Sequence, residues 1–561
     1  MTPPTAHTRV PFLRLLPFWV LLTAYLTLPV GLGKNWNDTN VLSRLYLASA
    51  LCDRGSPAIT HEAFSMMAID DSVVINGTFY SNKAPGSSYW LWAVCKPIQF
   101  LLRSQRSPSP AELAFGGRIL ALLIPLLFFL NALGRYLERR TGDPAAAWFA
   151  VGALAIGTNA GLYTMGYYGH VLAAILIGWA WIRGSSTSES RFAEGMLLAA
   201  SVAVEYNAAP PAAVLALRSV LAPGRGSRGF ALFTFAAGAL FPAAMLGAYH
   251  YSVTGNPFIP PFHFDRVWRQ HFPQESARLF GMALPSFRDF LDQWFSPSRG
   301  ILFHSPWLAV SMAGAAWAAW RRPAPHARRD TVWCFAAVGI YAAVMCGYIG
   351  WKVGFSTGMR LFIVILPLGA VLAAHAFAAS NRVLRGVWLS LATVSVGAFA
   401  ILGTTFPVYD APTGTFRYNM TAINTFPFWA QGRSQLLWPH LLGMGFAAGR
   451  ALMLALPAAA WFALAWALLS DRSTGPREEG SRRVPVWVSL PALAAVSAVL
   501  LAGWLRIGQD PEGRAANVAP YWANYVYQPD KDRGYNPFTQ GMWSEPPPAD
   551  PRPKPPAPKS D

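Results

Sequence analysis

The chain has 561 residues, of which 53% are hydrophobic and 13% charged, and its mean hydropathy is +0.30. That is too apolar and too sparsely charged for ordinary soluble domains, and it reads as a polytopic membrane protein. The formal net charge of +18 does not point to nucleic acid, because the arginines form short clusters between apolar runs rather than one basic face.

The first apolar run, Leu15 to Leu32, follows Arg9 and Arg14 and precedes no convincing small-residue cleavage site, so it reads as a retained anchor. Basic residues prefer the cytoplasmic ends of spans, which puts the N-terminus inside. The next basic cluster, Arg135, Arg139 and Arg140, is then also inside, and one inward crossing between Gly116 and Gly134 is required. The piece Ser88 to Leu102, short and interrupted by Lys96 and Pro97, is left as a helix on the outer surface. Further runs are Ala145 to Gly161, His170 to Ile182, Phe192 to Glu205, Ala208 to Leu221, Gly229 to Tyr251 and Ile301 to Trp320. Thr331 to Ile349, Leu361 to Ala379, Gly386 to Phe406, Gly449 to Leu469 and Pro485 to Leu505 follow. The count is about thirteen spans, with the C-terminus outside. The clusters Arg225/Arg228, Arg321/Arg322/Arg328/Arg329, Arg382/Arg385 and Arg472/Arg477/Arg482/Arg483 all fall inside under this scheme.

The expected fold is therefore an all-α polytopic membrane domain over residues 1–506. It has outer loops at 34–115, 252–300 and 407–448, and a polar aromatic, then Pro-rich, outer tail at 507–561. In the first loop, the amphipathic run Val41 to Leu51 predicts a helix, and Asn76-Gly77 between Val73-Val74-Ile75 and Thr78-Phe79-Tyr80 predicts a small hairpin. Cys52 and Cys95 both fall outside the cytoplasm and are either free or bridged. No internal repeat is present, which counts against inverted-repeat transporters.

The first outer loop gathers Asp38, Arg44, Asp53, Arg54, Glu62, Asp70, Asp71 and Lys83 at a membrane surface. Asp38 is placed to take a proton from an incoming hydroxyl. Its alternative reading is a solvated aspartate or the cap of the helix that follows. Lys83, before the Pro85-Gly86 turn, suits a lipid-linked phosphate or simply anionic lipid. Arg360 enters a span from the outside, where an unpaired guanidinium costs about 2.5 kcal/mol or more, so it snorkels or holds an anion. Glu205 and Tyr206, at an outer span end before Pro210-Pro211, are equally readable as hydrated structure or as function. His263 and His271, with Asp265 and Glu275 nearby, show no metal-site spacing.

The run Asp71…Gly77-Thr78-Phe79-Tyr80-Ser81-Asn82-Lys83-Ala84-Pro85-Gly86, with Glu205-Tyr206, Ser296-Pro297-Ser298-Arg299-Gly300 through Pro306, and Gly358-Met359-Arg360-Leu361, resembles the GT-C class of membrane glycosyltransferases. That class includes protein O-mannosyltransferases and lipid A aminoarabinose transferases. The similarity covers roughly residues 10–380 and lies in the order of the motifs, with Asn82 replacing the usual acid before the lysine and Asp38 lacking a second adjacent acid. The resemblance implies transfer of a hexose or pentose from a polyprenyl-phosphate donor to an acceptor hydroxyl at the outer face of the bacterial inner membrane. It implies Asp38 or Asp71 in catalysis, and substrate contacts from Lys83, Arg360, Tyr80, Arg44, Glu205, Tyr206 and Arg299. A divalent cation is compatible with that chemistry, but no ligand set is recognisable. A lipid or polysaccharide transporter would instead spread buried charge through the span centres, and an inactive GT-C-like scaffold would share the motif departures.

Overall fold

In a computed structural model the structure describes residues 12–27, 39–65, 69, 71–101, 108, 110–185, 191–221, 228–265, 281–321, 325–351, 358–404, 419, 425, 429, 446–470 and 486–509. The described part of every apolar run is mainly helical, with breaks at 157–158 and at Ser305. In chain order the helices are α1 (Phe12–Thr27), α2 (Thr39–Arg54), α3 (Thr60–Ser65), α4 (Gly86–Leu101), α5 (Leu113–Thr141), α6 (Pro144–Ile156), α7 (Asn159–Thr164), α8 (Gly169–Ser185), α9 (Arg191–Val204) and α10 (Ala209–Leu221). Then come α11 (Arg228–Thr254), α12 (Phe287–Phe295), α13 (Ile301–His304), α14 (Pro306–Arg321), α15 (Pro325–Gly347), α16 (Leu366–Ala378), α17 (Arg382–Gly403), α18 (Phe446–Ser470) and α19 (Val486–Arg506). Among the described residues six helices are long and apolar enough to cross a bilayer, the architecture of an integral membrane protein.

At the centre stands α6, apolar all round and buried at each of its 13 positions, as such a helix must be. Asp143 starts it by accepting from the Ala146 N–H at 3.1 Å, with Pro144 in the first turn. Its Phe149 stacks on Phe377 at 4.5 Å and meets Trp307, Trp388 and Trp461 edge-on. Helix α5 carries a buried cation at Arg118, between two π-helical stretches that widen the helix there. The guanidinium donates to the carbonyls of Leu26 (3.0 Å), Thr27 (3.1 Å) and Thr164 (2.9 Å), and so closes the C-terminal ends of α1 and α7.

Charges sort to the two ends of the helices. At one end Arg140 forms a two-pronged pair with Asp330 (2.7 and 2.8 Å), beside His375, and Arg385 pairs with Asp143 at 2.5 Å. Glu194 there takes Arg191 at 3.1 Å and Arg218 at 3.6 Å. This is the end the basic clusters assign to the cytoplasm. The 15 residue steps of α8 from His170 to Ser185 span about 22 Å, and at its far end lies a second layer built from α2, α3, the start of α4 and a hairpin.

The hairpin is the one expected: β1 (Ser72–Ile75) and β2 (Thr78–Ser81) pair Ser72 with Ser81 through Ile75 with Thr78. Asn76 (φ 50°) and Gly77 (φ 76°) take the left-handed conformations a two-residue turn needs. Helix α2 differs from expectation. Rather than lying half-exposed, it is buried from Asn40 to Cys52 because the hairpin and Tyr249 of α11 cover the face turned away from the bundle. Side chains the size of Leu42, Tyr46 and Leu51 stabilise such a layer by roughly 1.5–3 kcal/mol each. Helix α4 covers the run expected to form a surface helix, with Lys96 Nζ donating to the Cys52 carbonyl at 2.7 Å and Trp90, Trp92 and Phe100 exposed. The thiols of Cys52 and Cys95 are free.

Truncation fusions of a reporter after Gly86 and after Gly508 are expected to behave as exported, since the basic clusters require an odd number of crossings between the N-terminus and the tail. A cytoplasmic reporter after Gly508 would remove one crossing and the orientation with it.

Candidate functional site

Where the second layer meets the helix ends, two carboxylates organise the polar groups. The first is Asp71, just before β1. Its Oδ1 pairs with Lys83 Nζ at 2.5 Å and accepts from Asn82 Nδ2 at 3.3 Å; its Oδ2 accepts from Thr39 Oγ1 at 3.0 Å. Ser43 Oγ donates to the Asp71 backbone carbonyl at 2.6 Å, so the first turns of α2 are fitted to this residue. Burial works to raise the Asp71 pKa, but Lys83, then Arg360 and Thr39, outweigh it and hold the carboxyl below its ordinary range.

Asn82 also donates to Asp265 Oδ2 at 2.7 Å. Its amide is thus a donor shared between two carboxylates, which explains why this position is not acidic: a third carboxylate would set like charges together without the bridging N–H. Asn82→Asp is expected to destabilise the protein by roughly 1–3 kcal/mol, read as a lower unfolding temperature in detergent. An unchanged temperature would mean the amide does not bridge.

The second carboxylate is Glu205, between α9 and a short 3-10 turn (Tyr206–Ala208). It forms a buried ion pair with Arg44 of α2, and His170 Nδ1 lies 3.0 Å from its Oε1. Gly169 permits this approach: a Cβ there would stand 2.5 Å from Glu205 Oε1 and 3.0 Å from Arg44 Nε. Arg44 also donates to the carbonyl of Asn40 at 2.8 Å, and its own carbonyl accepts from Ser88 Oγ at 2.9 Å. Burial would raise the Glu205 pKa, yet Arg44, then His170 and Lys83, lower it to about 2.

Arg360 opens a 3-10 stretch (Arg360–Ile365) leading into α16, and its charge acts on Asp71, His170, Arg299 and Tyr348. Arg299 is buried, with Nη1 donating to the Trp351 carbonyl at 2.6 Å. The structure thus brings Asp71, Lys83, Arg44, Glu205, Arg299 and Arg360 to one end of the bundle. Two further expected substrate contacts have partners within the protein. Tyr80 sits in β2 opposite Val73 and packs into the second layer, and Tyr206 donates to His250 Nε2 at 2.9 Å while His250 Nδ1 donates to the Pro257 carbonyl at 3.1 Å. Asp38, with Asp70, Arg266, Arg269, Arg278, His271 and Glu275, lies outside the described residues.

Three members of the site carried no usable sequence signal. Asp265 and His170 reach it from far along the chain. Tyr348, one residue past α15, is a half-buried phenol with Arg360, Asp265, Asp71 and Glu205 among its charged neighbours. Four cations, Lys83, Arg44, Arg299 and Arg360, and three carboxylates, Asp71, Asp265 and Glu205, share this end of the bundle. Among the described residues no group of three or more His, Cys, Asp or Glu side chains is placed to hold a metal ion.

No protein-family model and no curated protein matches the chain. Among solved structures it is similar to ArnT from Cupriavidus metallidurans in the apo state, with 15% identity and a TM-score of 0.41 over 92% of this chain and 80% of that one. It is also similar to ArnT from the same organism bound to undecaprenyl phosphate, with 15% identity and a TM-score of 0.39 over 91% and 87% of the two chains. The Archaeoglobus fulgidus oligosaccharyltransferase in the apo form gives 12% identity and a TM-score of 0.34 over 92% of this chain and 60% of that one. At such low similarity the chemistry of the present site rests on its own side chains.

Proposed function

We propose that the chain is a GT-C-like glycosyltransferase that moves a sugar from a polyprenyl-phosphate donor to an acceptor hydroxyl at the outer face of the cytoplasmic membrane. The observation that carries this reading is the gathering of Lys83 and Arg360 around Asp71 at one end of an apolar helix bundle. A polyprenyl-phosphate sugar is an anionic phosphodiester with an apolar tail, which suits cations set at the end of such a bundle.

In the reaction the acceptor hydroxyl gives its proton to Asp38 while its oxygen attacks C1 of the sugar. The bond from C1 to the phosphate oxygen breaks, and polyprenyl phosphate leaves with both electrons of that bond. Phosphate leaves readily as an anion, so no second carboxylic acid is required to protonate it, unlike in glycosidases. Lys83 and Arg360 stabilise the charge that grows on the departing phosphate from fixed positions.

Purified protein given a labelled polyprenyl-phosphate sugar and a membrane extract as acceptor should release polyprenyl phosphate with time and transfer the label. Movement of intact donor across vesicles without cleavage would establish a transporter instead. Binding without turnover across a panel of donors would establish a scaffold.

A further inference from the structure

We infer that Glu205, with Arg44 and His170, forms a positioning unit for the transfer site and does not contact the substrate; this rests on the glycosyltransferase reading above. Arg44 and Glu205 are both buried, and their charges are spent on each other. Arg44 spends a further donor on Asn40, one turn back in α2, and Ser88 at the start of α4 binds its carbonyl. The Glu205 carboxylate thus joins four elements: the end of α9, the beginning of α8 through His170, α2 through Arg44, and α4 through Arg44's backbone.

The join matters because of what else α2 holds. Thr39 and Ser43, which precede Arg44 on the same helix, fix Asp71, and Asp71 fixes Lys83. Arg360 belongs to the bundle and Lys83 to the second layer, so their separation is set by how the layer sits on the bundle. Arg44 with Glu205 is a buried ion pair that crosses between them beside the site. Ground-state attraction of a phosphate tolerates a shift of about 1 Å between two cations, whereas transition-state stabilisation does not. The unit therefore governs turnover more than donor affinity.

Arg44→Gln and Glu205→Gln each leave one buried charge without its partner, so the double variant, which removes both, is the principal test. It should bind polyprenyl phosphate within about two-fold of the wild type while turnover falls about ten-fold or more, and neither single variant that folds should multiply with the other, because both break one coupling. Arg44→Lys, which keeps a cation on Glu205, should recover part of the lost turnover. Donor affinity falling in proportion to turnover, or single losses that multiply in the double variant, would make these residues substrate contacts and overturn the proposal. Hydrogen exchange over residues 39–54 separates this from the reaction itself. It should quicken in the double variant relative to α16, whether or not transfer is detected, and unchanged exchange there would overturn the tether. Absence of transfer by the wild type would refute the glycosyltransferase reading alone.

Discussion

Asp38→Asn is expected to lower sugar transfer by about 10²- to 10⁴-fold, the contribution of a general base, with expression and unfolding temperature close to wild type. The structure sharpens this by showing what Asp71, the other candidate base, is doing. One Asp71 oxygen is paired with Lys83, the other is bound by Thr39, and its pKa is held below the usual carboxylate range. A carboxylate so stabilised as the anion is a poor proton acceptor. Asp71→Asn should therefore act differently: by freeing Lys83 it weakens donor binding and turnover together, whereas Asp38→Asn leaves donor binding intact. Transfer assays paired with a donor-binding titration distinguish the two patterns. Near-wild-type transfer by Asp38→Asn would place the base elsewhere.

The helices and the hairpin were legible because their causes are local. A run of apolar residues is helical wherever lipid or protein replaces water, and Asn76-Gly77 permits few other turns. The pairing of Arg44 with Glu205 was not legible, because the two lie 161 positions apart and neither segment carries a local signal of the other. Arg118 was hidden by the opposite effect: it lies inside an apolar run, and its three acceptors are backbone carbonyls, which no side-chain pattern reveals. Asn82 looked like a defect in an acidic motif until Asp265 appeared beside it. These are long-range pairings of polar groups, fixed by the packing of helices that are themselves locally determined.

Removing either cation from the phosphate should reduce both donor affinity and turnover, but the two variants carry different side effects. Arg360→Gln deletes charge-assisted hydrogen bonds of roughly 1.5–3 kcal/mol, or about ten- to hundred-fold, to a group that gains negative charge as the sugar departs. Turnover should fall further than affinity, since the interaction strengthens along the reaction. Lys83→Gln removes a similar interaction and also leaves Asp71 ionised without its partner, so part of its effect is a reorganised second layer. Pairing Lys83→Gln with Asp71→Asn restores charge balance. If Lys83 acts on the phosphate, the paired variant regains thermal stability and still fails to bind donor. If Lys83 serves only to hold Asp71, the pair regains donor binding as well. For Arg360, whose charge reaches Asp71, the deciding result is the donor titration: unchanged affinity for polyprenyl phosphate in Arg360→Gln would remove it from the phosphate site.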